Sequence, residues 1–416
     1  MILGFDTSTP KGMNTNYLIL ALCIIVMLSY LYNIISRKTR IPSVLWLLGT
    51  GILVNYFDGE GLASPGVIDK AVQVLGTVGL IVIILEAALD LHVEKGKIIL
   101  ITRAFVSALV ILVLSSFAIA YIISGWLGDD FMNCLVYATP LSIVSSAIVI
   151  PSVGMLTEST KEFIIYEAAF SDILGILYFN YLIGAEEFTI GNGAIYLGQM
   201  LISILVSIGV AILLIFLLSK ISQQIKFFLI FAVLVALYAF GKIIHLPSLL
   251  IILFFGLIIN NRHLLNVLPY TNKVIPNGRR FKHLEEQTKV ITLETSFIVR
   301  TFFFILFGYS IDLQKMVQTE VLAVGTFIVL TLLVVRLIFL KYINPKESPL
   351  PELFLMPRGL ITILLFYNIP DEYRLADFNN GILFFVIMVT SFMMMIGLFS
   401  ASKDVVADVE SSKSIH

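Results

Sequence analysis

The stretch EFIIYEAAFSDILGILYFNYLIG, residues Glu162–Gly184, is a run long enough to cross a lipid bilayer as one helix. Asp172 lies about halfway along it, at a depth where an ionisable side chain costs several kcal/mol of transfer free energy. An ionisable side chain at that depth is by default a site for protons or ions. The simpler alternative is a structural aspartate that hydrogen-bonds to a neighbouring helix.

The composition places the whole chain in the same class as this stretch. Hydrophobic residues make up 58% of the 416 residues and charged residues 13%, against roughly 25% charged in an average soluble protein. The apolar runs are continuous, whereas the strands of a membrane β-barrel alternate apolar and polar residues. We therefore predict an all-α polytopic membrane protein. The net charge of −1 gives no basis for nucleic-acid binding, and we expect no cofactor.

Thirteen apolar segments are predicted to be membrane helices, and together they form a single transmembrane domain over residues 1–400. The predicted helices are 15–35, 42–56, 68–89, 98–123, 131–154, 162–184, 193–219, 227–241, 247–260, 290–310, 320–341, 350–368 and 380–400.

Basic residues are unevenly distributed between alternate loops, and this asymmetry predicts the orientation. With the N-terminus outside, most lysines and arginines fall in inside loops, and the outside segments contain only Lys11, Lys70, Lys242, Lys315 and Arg374. We therefore expect a multi-pass protein of the cell (inner) membrane with a cytoplasmic C-terminus. The polar tail 401–416 is predicted to be cytoplasmic and disordered.

One predicted helix, 131–154, is interrupted by its own residues. Pro140 and Pro151 each remove a backbone hydrogen-bond donor from it. Hydroxyl side chains lie between the two prolines or next to them, and these are candidate ligands for a cation or partners for a proton. The hydroxyl residues are Thr139, Ser142, Ser145 and Ser146.

A second predicted helix, 350–368, is interrupted near mid-depth by Pro357-Arg358-Gly359. The two interrupted helices are seven helices apart, so they run in opposite directions. Opposed, interrupted helices are typical of an inverted-repeat transporter, whose broken helices cross at a midplane binding site. The alternative is two ordinary proline kinks, which are common in membrane helices.

A buried ion pair is suggested by equal depth in the membrane. Glu167 lies about one and a half turns inside its predicted helix, and Arg336 lies a similar distance before the cytoplasmic end of the helix 320–341. Glu167 and Asp172 point about 140° apart around their helix, so that one can face a packed neighbour and the other a cavity. The alternative for Arg336 is a side chain that snorkels to the cytoplasmic surface.

Other charged residues within the spans have weaker assignments. Arg358, at the interruption, is a candidate to offset the negative end of a half-helix, and Arg300 is a candidate counter-charge near Asp172. Glu86 and Arg103 lie nearer to helix ends and are interpreted as structural.

These residues together resemble a known family, the monovalent cation/proton antiporter superfamily that includes the sodium/proton exchangers. Glu167-Ala-Ala-Phe-Ser171-Asp172 has the family's spacing from glutamate to aspartate. The run from Phe302 to Asp312 is similar to the family's FF…G…D helix, and Arg336 corresponds to its paired arginine. The resemblance covers nearly the whole chain.

The resemblance implies an antiporter in which a core, helices at about 98–184 and 320–400, moves against scaffold and dimer helices at about 15–89 and 193–310. It also implies a homodimer. Ser171 replaces the Asn or Asp usual in the family, whose electrogenic members carry two adjacent acids there. Ser145-Ser146-Ala147 is similar to the corresponding segment of the potassium-efflux branch.

We therefore expect exchange of a monovalent cation, Na⁺ or K⁺, for H⁺. Asp172 is expected to bind either the cation or the proton, Ser171 and the hydroxyls of the helix 131–154 to complete the site, and the exchange to be electroneutral. The alternatives are a monovalent cation channel and a K⁺-efflux-type system. An intramembrane enzyme is disfavoured, since no HExxH, GxSxG or paired catalytic aspartates occur.

Overall fold

A computed structural model gives the architecture of the protein. It describes residues 15–39, 41–57, 65–91, 95–184, 193–220, 227–243, 248–261, 279–343 and 348–413.

The described residues form fifteen α-helices with short 3₁₀ turns. The helices are α1 Thr15–Thr39, α2 Ser43–Phe57, α3 Pro65–Asp90, α4 Ile98–Leu127, α5 Phe131–Ser142, α6 Ser146–Ser152, α7 Glu158–Gly184, α8 Gly193–Lys220, α9 Phe227–Ile243, α10 Ser248–Asn260, α11 Arg279–Tyr309, α12 Leu313–Met316, α13 Thr319–Ile343, α14 Leu360–Tyr367 and α15 Gly381–Lys413.

The thirteen predicted spans are each represented by a helical segment of the described chain. Eleven are single helices, and two are interrupted: the first consists of α5 and α6, and the second of a 3₁₀ turn at Glu352–Phe354 followed by α14. Within the described ranges, six spans are long and apolar enough to cross a membrane by length and composition alone, and five further helices are shorter and apolar. The predicted all-α polytopic fold is therefore confirmed.

Large apolar side chains cover the outside of the molecule, as expected where a protein surface contacts lipid rather than water. Ile99 is 86% exposed and Phe327 is 61% exposed. Others of this kind lie along α1, α8 and α13. A soluble protein would have to cover these surfaces, whereas a bilayer solvates them.

The helices pack as two connected groups. In one, α4 contacts α5, α7 and α13, and α13 contacts α15. In the other, α11 contacts α2 and α3, while α10 contacts α3 and α8. Helix α3 also contacts α7 and α14, so the groups meet beside the two interruptions. The division into a core and a scaffold that move against each other stays a prediction.

The end of the chain differs from the expectation. Residues 401–416 were expected to be disordered, but α15 continues without a break to Lys413. The reason lies in the composition of 401–413, which contains neither glycine nor proline to end the helix. Residues 414–416 lie outside the described part of the chain.

Candidate functional site

The interruption between α5 and α6 presents three successive backbone N–H groups to other parts of the fold. The N–H of Val144 donates to the hydroxyl of Ser171 at 2.9 Å, and that of Ser146 donates to Oδ2 of Asp172 at 3.1 Å. Between them, the N–H of Ser145 donates to the carbonyl of Pro357 in the second interruption, at 2.9 Å. The two broken spans therefore contact each other at their interruptions, and the first interruption also contacts Ser171 and Asp172 of α7.

Asp172 is the ionisable side chain at this crossing. It lies near the middle of α7 and is only 2% exposed. Its Oδ1 atom has no hydrogen-bond partner among the described residues, and neither has the buried hydroxyl of Ser145, which lies in the interruption between α5 and α6. A buried carboxylate oxygen without a partner is costly, so this position favours a bound proton or cation.

The second interruption is held by Arg358, which is buried. Its Nε donates to the carbonyl of Leu141 at 2.6 Å and its Nη1 to the carbonyl of Met356 at 2.7 Å. Its backbone N–H donates to the hydroxyl of Thr390 in α15. Since Leu141 is in the last turn of α5, the guanidinium lies at the negative end of that half-helix, as the sequence suggested.

Glu167 and Arg336 are in contact, as their equal depth suggested. Nη2 of Arg336 donates to Oε2 of Glu167 at 2.6 Å and Nη1 to Oε1 at 3.2 Å, and both side chains are at most 2% exposed. The hydroxyl of Ser107 also donates to Oε1, at 2.6 Å. The remaining guanidinium nitrogen, Nε, donates to the carbonyl of Glu352 at 2.8 Å. Arg336 does not snorkel, because these contacts fix it inside the protein.

Arg300 lies beside the crossing rather than on Asp172. Its Nη2 pairs with Oε1 of Glu86 at 3.2 Å, and its Nη1 donates to the carbonyl of Ala147 at 3.4 Å. The hydroxyl of Ser296 donates to the other oxygen of Glu86. Arg300 is thus balanced by Glu86, and its closest approach to the site is through α6.

The two hydroxyls of α5 that were predicted as ligands, those of Thr139 and Ser142, hydrogen-bond within their own helix. Thr139 donates to the carbonyl of Leu135 at 2.8 Å, and Ser142 donates to that of Ala138 at 2.9 Å. Both residues were predicted as candidate ligands. In the structure, each hydroxyl donates its proton to a carbonyl of the same helix. Their oxygen lone pairs are the only part of them that a cation can use.

Four polar residues were not assigned to the site or its surroundings from the sequence. They are Ser107, Thr390, Thr362 on α14, whose buried hydroxyl has no partner within the described residues, and Glu86, which was interpreted as structural. A hydroxyl within an apolar span was the available signal for the first three. Such residues are too common in membrane helices to be selected without knowing which helices touch.

Comparison with known proteins gives a consistent result. The sequence pattern of the family described as sodium/hydrogen exchanger, transmembrane, matches residues 23–400. The K(+)/H(+) antiporter subunit KhtU of Bacillus subtilis is 24% identical over 322 residues, covering 72% of this chain and 72% of that protein.

Solved structures show a related fold. The structure of the sodium proton antiporter MjNhaP1 from Methanocaldococcus jannaschii at pH 8 superposes with a TM-score of 0.66 at 18% identity, covering 94% of this chain and all of that one. An electron-microscopy structure of the same antiporter gives a TM-score of 0.62 at 19% identity, with coverage of 94% and 96%. Because the family pattern spans almost every helix described above, the chain belongs to the sodium/hydrogen exchanger family.

Proposed function

We propose that this protein is a secondary antiporter that exchanges a monovalent cation for a proton by competition at Asp172. The observation that carries the proposal is the carboxylate itself. It is buried at the crossing of two broken spans, with one oxygen held by the N–H of Ser146 and the other without a partner among described residues. Membership of the exchanger family supports cation/proton antiport as the activity.

The coupling follows from the single carboxylate. A proton on Asp172 removes the charge that attracts a cation, and a bound cation disfavours protonation, so the two occupy the site in turn. The charge of Asp172 is neutralised only when a proton or a cation is bound. Moving a neutral site through the apolar interior costs less free energy than moving a charged one. Movement of α4–α7 and α13–α15 against the other helices would then expose the site to alternate sides.

The cation's ligands would be oxygens, which alkali cations prefer as hard ions. Oδ1 of Asp172 and the hydroxyl of Ser145 are the first candidates, because neither has a partner within the described residues. The hydroxyl of Ser171 accepts from Val144 and would act by shaping the interruption. Thr139, Ser142 and Ser146 lie on the two half-helices around it and are further candidates.

The proposed cation is Na⁺ or K⁺. MjNhaP1 is named as a sodium proton antiporter and KhtU as a subunit of a K(+)/H(+) antiporter, so the relatives point in both directions. We further propose, from the resemblance and the distribution of basic residues, a homodimer in the cell membrane with the N-terminus outside and the C-terminus in the cytoplasm.

The test uses the purified protein in liposomes that contain a pH-sensitive dye. Adding Na⁺ or K⁺ outside, with the membrane potential clamped at zero, is expected to release protons from the lumen. Asp172→Asn is expected to abolish that response, because the amide has the same shape and no titratable charge. Exchange by Asp172→Asn at more than a few per cent of the wild-type rate would contradict the mechanism.

The matched control is Asp371→Asn, the same chemical change at a surface carboxylate that is 88% exposed. It is expected to exchange at the wild-type rate. The clamped potential also separates an antiporter from a cation channel. A channel passes cations without a stoichiometric counter-flow of protons and would give no pH change.

A further inference from the structure

The carbonyl of Ala147 lacks its ordinary helical partner. In an α-helix the carbonyl of one residue accepts from the N–H four residues later, which for Ala147 is residue 151. That residue is Pro151, which has no N–H. Because Ala147 is only 6% exposed, water cannot readily take the place of the missing donor.

Arg300 is the donor that replaces it. Its Nη1 lies 3.4 Å from the carbonyl oxygen of Ala147, and it extends there from α11, far away in the chain. On its other side, Nη2 is held by Oε1 of Glu86 on α3 at 3.2 Å, and the hydroxyl of Ser296 holds Oε2 of the same carboxylate. Glu86 and Ser296 therefore fix the direction in which the guanidinium points.

The residue before Ala147 is in contact with the carboxylate of the site. The N–H of Ser146 donates to Oδ2 of Asp172 at 3.1 Å. Ser146 and Ala147 are consecutive in the first turn of α6, which is only seven residues long. A shift of that turn changes the distance from Ser146 to Asp172, so the contact that fixes Ala147 also fixes the hydrogen bond to the carboxylate.

We propose that Arg300, held by Glu86 and Ser296, is a positioning residue that sets the apparent affinity of the Asp172 site for its cation. It acts by holding the Ala147 carbonyl that Pro151 leaves without a donor, and it does not touch the ion. The inference deepens the proposed antiport and rests on it. The surrounding protein supplies the Glu86 charge that balances the guanidinium, so the contact adds no net charge to the crossing.

The test compares Arg300→Gln, Glu86→Gln and the exchanged pair Glu86→Arg/Arg300→Glu in the full-length protein. Exchange rates in liposomes give the apparent KM and maximal rate for the better of Na⁺ and K⁺. The cation concentration that half-maximally raises Tm reports the same site without requiring exchange. Loss of one charge-assisted hydrogen bond is expected to raise both midpoints about tenfold in Arg300→Gln, with the maximal rate within about twofold of wild type.

The exchanged pair separates positioning from simple stabilisation. A guanidinium on α3 and a carboxylate on α11 can again form an ion pair, so Tm is expected to recover. A carboxylate at position 300 cannot donate to Ala147, so the raised midpoints are expected to persist. Recovery of both midpoints in the exchanged pair, or unchanged midpoints in Arg300→Gln, would overturn the proposal.

Two further variants keep the result decisive. If Arg300→Gln does not fold, Arg300→Lys replaces it, and a rise of about threefold is expected because lysine is a shorter point-charge donor. Lys97→Gln removes a different ion pair, that of Lys97 with Glu162 at 2.6 Å, which shares no residue with the Arg300–Ala147 contact, and it is expected to leave both midpoints unchanged. A wild-type protein whose Tm responds to cations but which moves no protons would contradict the antiport and leave the positioning test in force.

Discussion

Arg358 reaches from one broken span into the other, where its Nε donates a 2.6 Å hydrogen bond to the carbonyl of Leu141. Leu141 has lost its helical donor because the chain leaves the helix after Ser142. Ala147 has lost its own donor to Pro151 and is met by Arg300. Each half-helix of the first broken span therefore has a buried carbonyl without its helical donor, and an arginine from a distant part of the sequence donates to it. The two carbonyls freed in this span thus accept from guanidinium groups, while its N–H groups donate to Ser171, Pro357 and Asp172.

The first prediction concerns Arg358. Arg358→Met keeps a long apolar side chain but leaves the carbonyls of Leu141 and Met356 without this donor. We expect the free energy of unfolding in detergent to fall by about 2–4 kcal/mol, since an unsatisfied buried acceptor costs about 1–3 kcal/mol. Arg358→Lys should lose less, because it retains one donor. Equal stability of wild type and Arg358→Met in a thermal or denaturant melt would show that the hydrogen bonds of the guanidinium do not contribute to stability.

The second prediction concerns the close approach of the two broken spans. A Cβ added at Gly359 would lie 2.8 Å from Cβ of Ser145 and 2.9 Å from Cδ1 of Ile148. The backbones must then move apart, so Gly359→Ala is expected to lower stability by about 1–3 kcal/mol and to slow exchange. Gly125→Ala is the control, because nothing lies within 4 Å of its added Cβ in α4. A Tm for Gly359→Ala at or above that of Gly125→Ala would refute the steric argument.

The third prediction concerns the pair of Glu167 and Arg336. Removing one partner leaves the other charge buried, so Glu167→Ala and Arg336→Ala are each expected to cost about 3–5 kcal/mol. The double variant should lose clearly less than the sum of the two single losses, and the difference gives the coupling free energy. The measurement is a double-mutant cycle on thermal or denaturant unfolding in detergent.

A second cycle on Lys97 and Glu162 provides the comparison. Their side chains are 35% and 24% exposed, so solvent screens the pair and each single change is expected to cost about 1 kcal/mol or less. Similar coupling free energies in the two cycles would mean that burial does not set the strength of the Glu167–Arg336 pair.

The sequence predicted the spans because hydropathy reports which segments are apolar, and it predicted the interruptions because proline removes a donor wherever it lies. The segment predicted as 42–56 is the helix Ser43–Phe57, whereas that predicted as 290–310 begins at Arg279. The additional residues of α11 are mostly polar. Hydropathy locates apolar segments, so it does not report how far a helix continues beyond them. The tail after residue 400 was misjudged for the same reason.

Contacts between spans were predictable only where depth restricted the partner. Glu167 and Arg336 lie at similar depths, which was sufficient to suggest their contact. Glu86 lies on α3, and nothing in the sequence specifies that α3 packs against α11 with Arg300 facing it. The partners of Thr139 and Ser142 could not be predicted either. The side-chain rotamer decides whether each hydroxyl faces a cation or a carbonyl of its own helix.

The last prediction concerns charge movement in each cycle. Ser171, adjacent to Asp172, is neutral and already accepts a hydrogen bond from Val144, while Glu167 is bound by two nitrogens of Arg336. At the crossing of the two broken spans, the Asp172 carboxylate has an oxygen without a partner among the described residues. One carboxylate exchanges one proton for one monovalent cation, which moves no net charge. We therefore expect electroneutral exchange.

Voltage provides the measurement. Proteoliposomes with fixed pH and cation gradients are brought to the point where exchange reverses, and that point is recorded at several imposed membrane potentials. For one-to-one exchange the reversal point depends only on the two concentration ratios and is the same at every potential. Each additional charge per cycle contributes about 2.3 kcal/mol per 100 mV, which would displace the reversal point by well over an order of magnitude in cation concentration. Such a displacement would mean that a second group besides Asp172 also gains or loses a proton during transport.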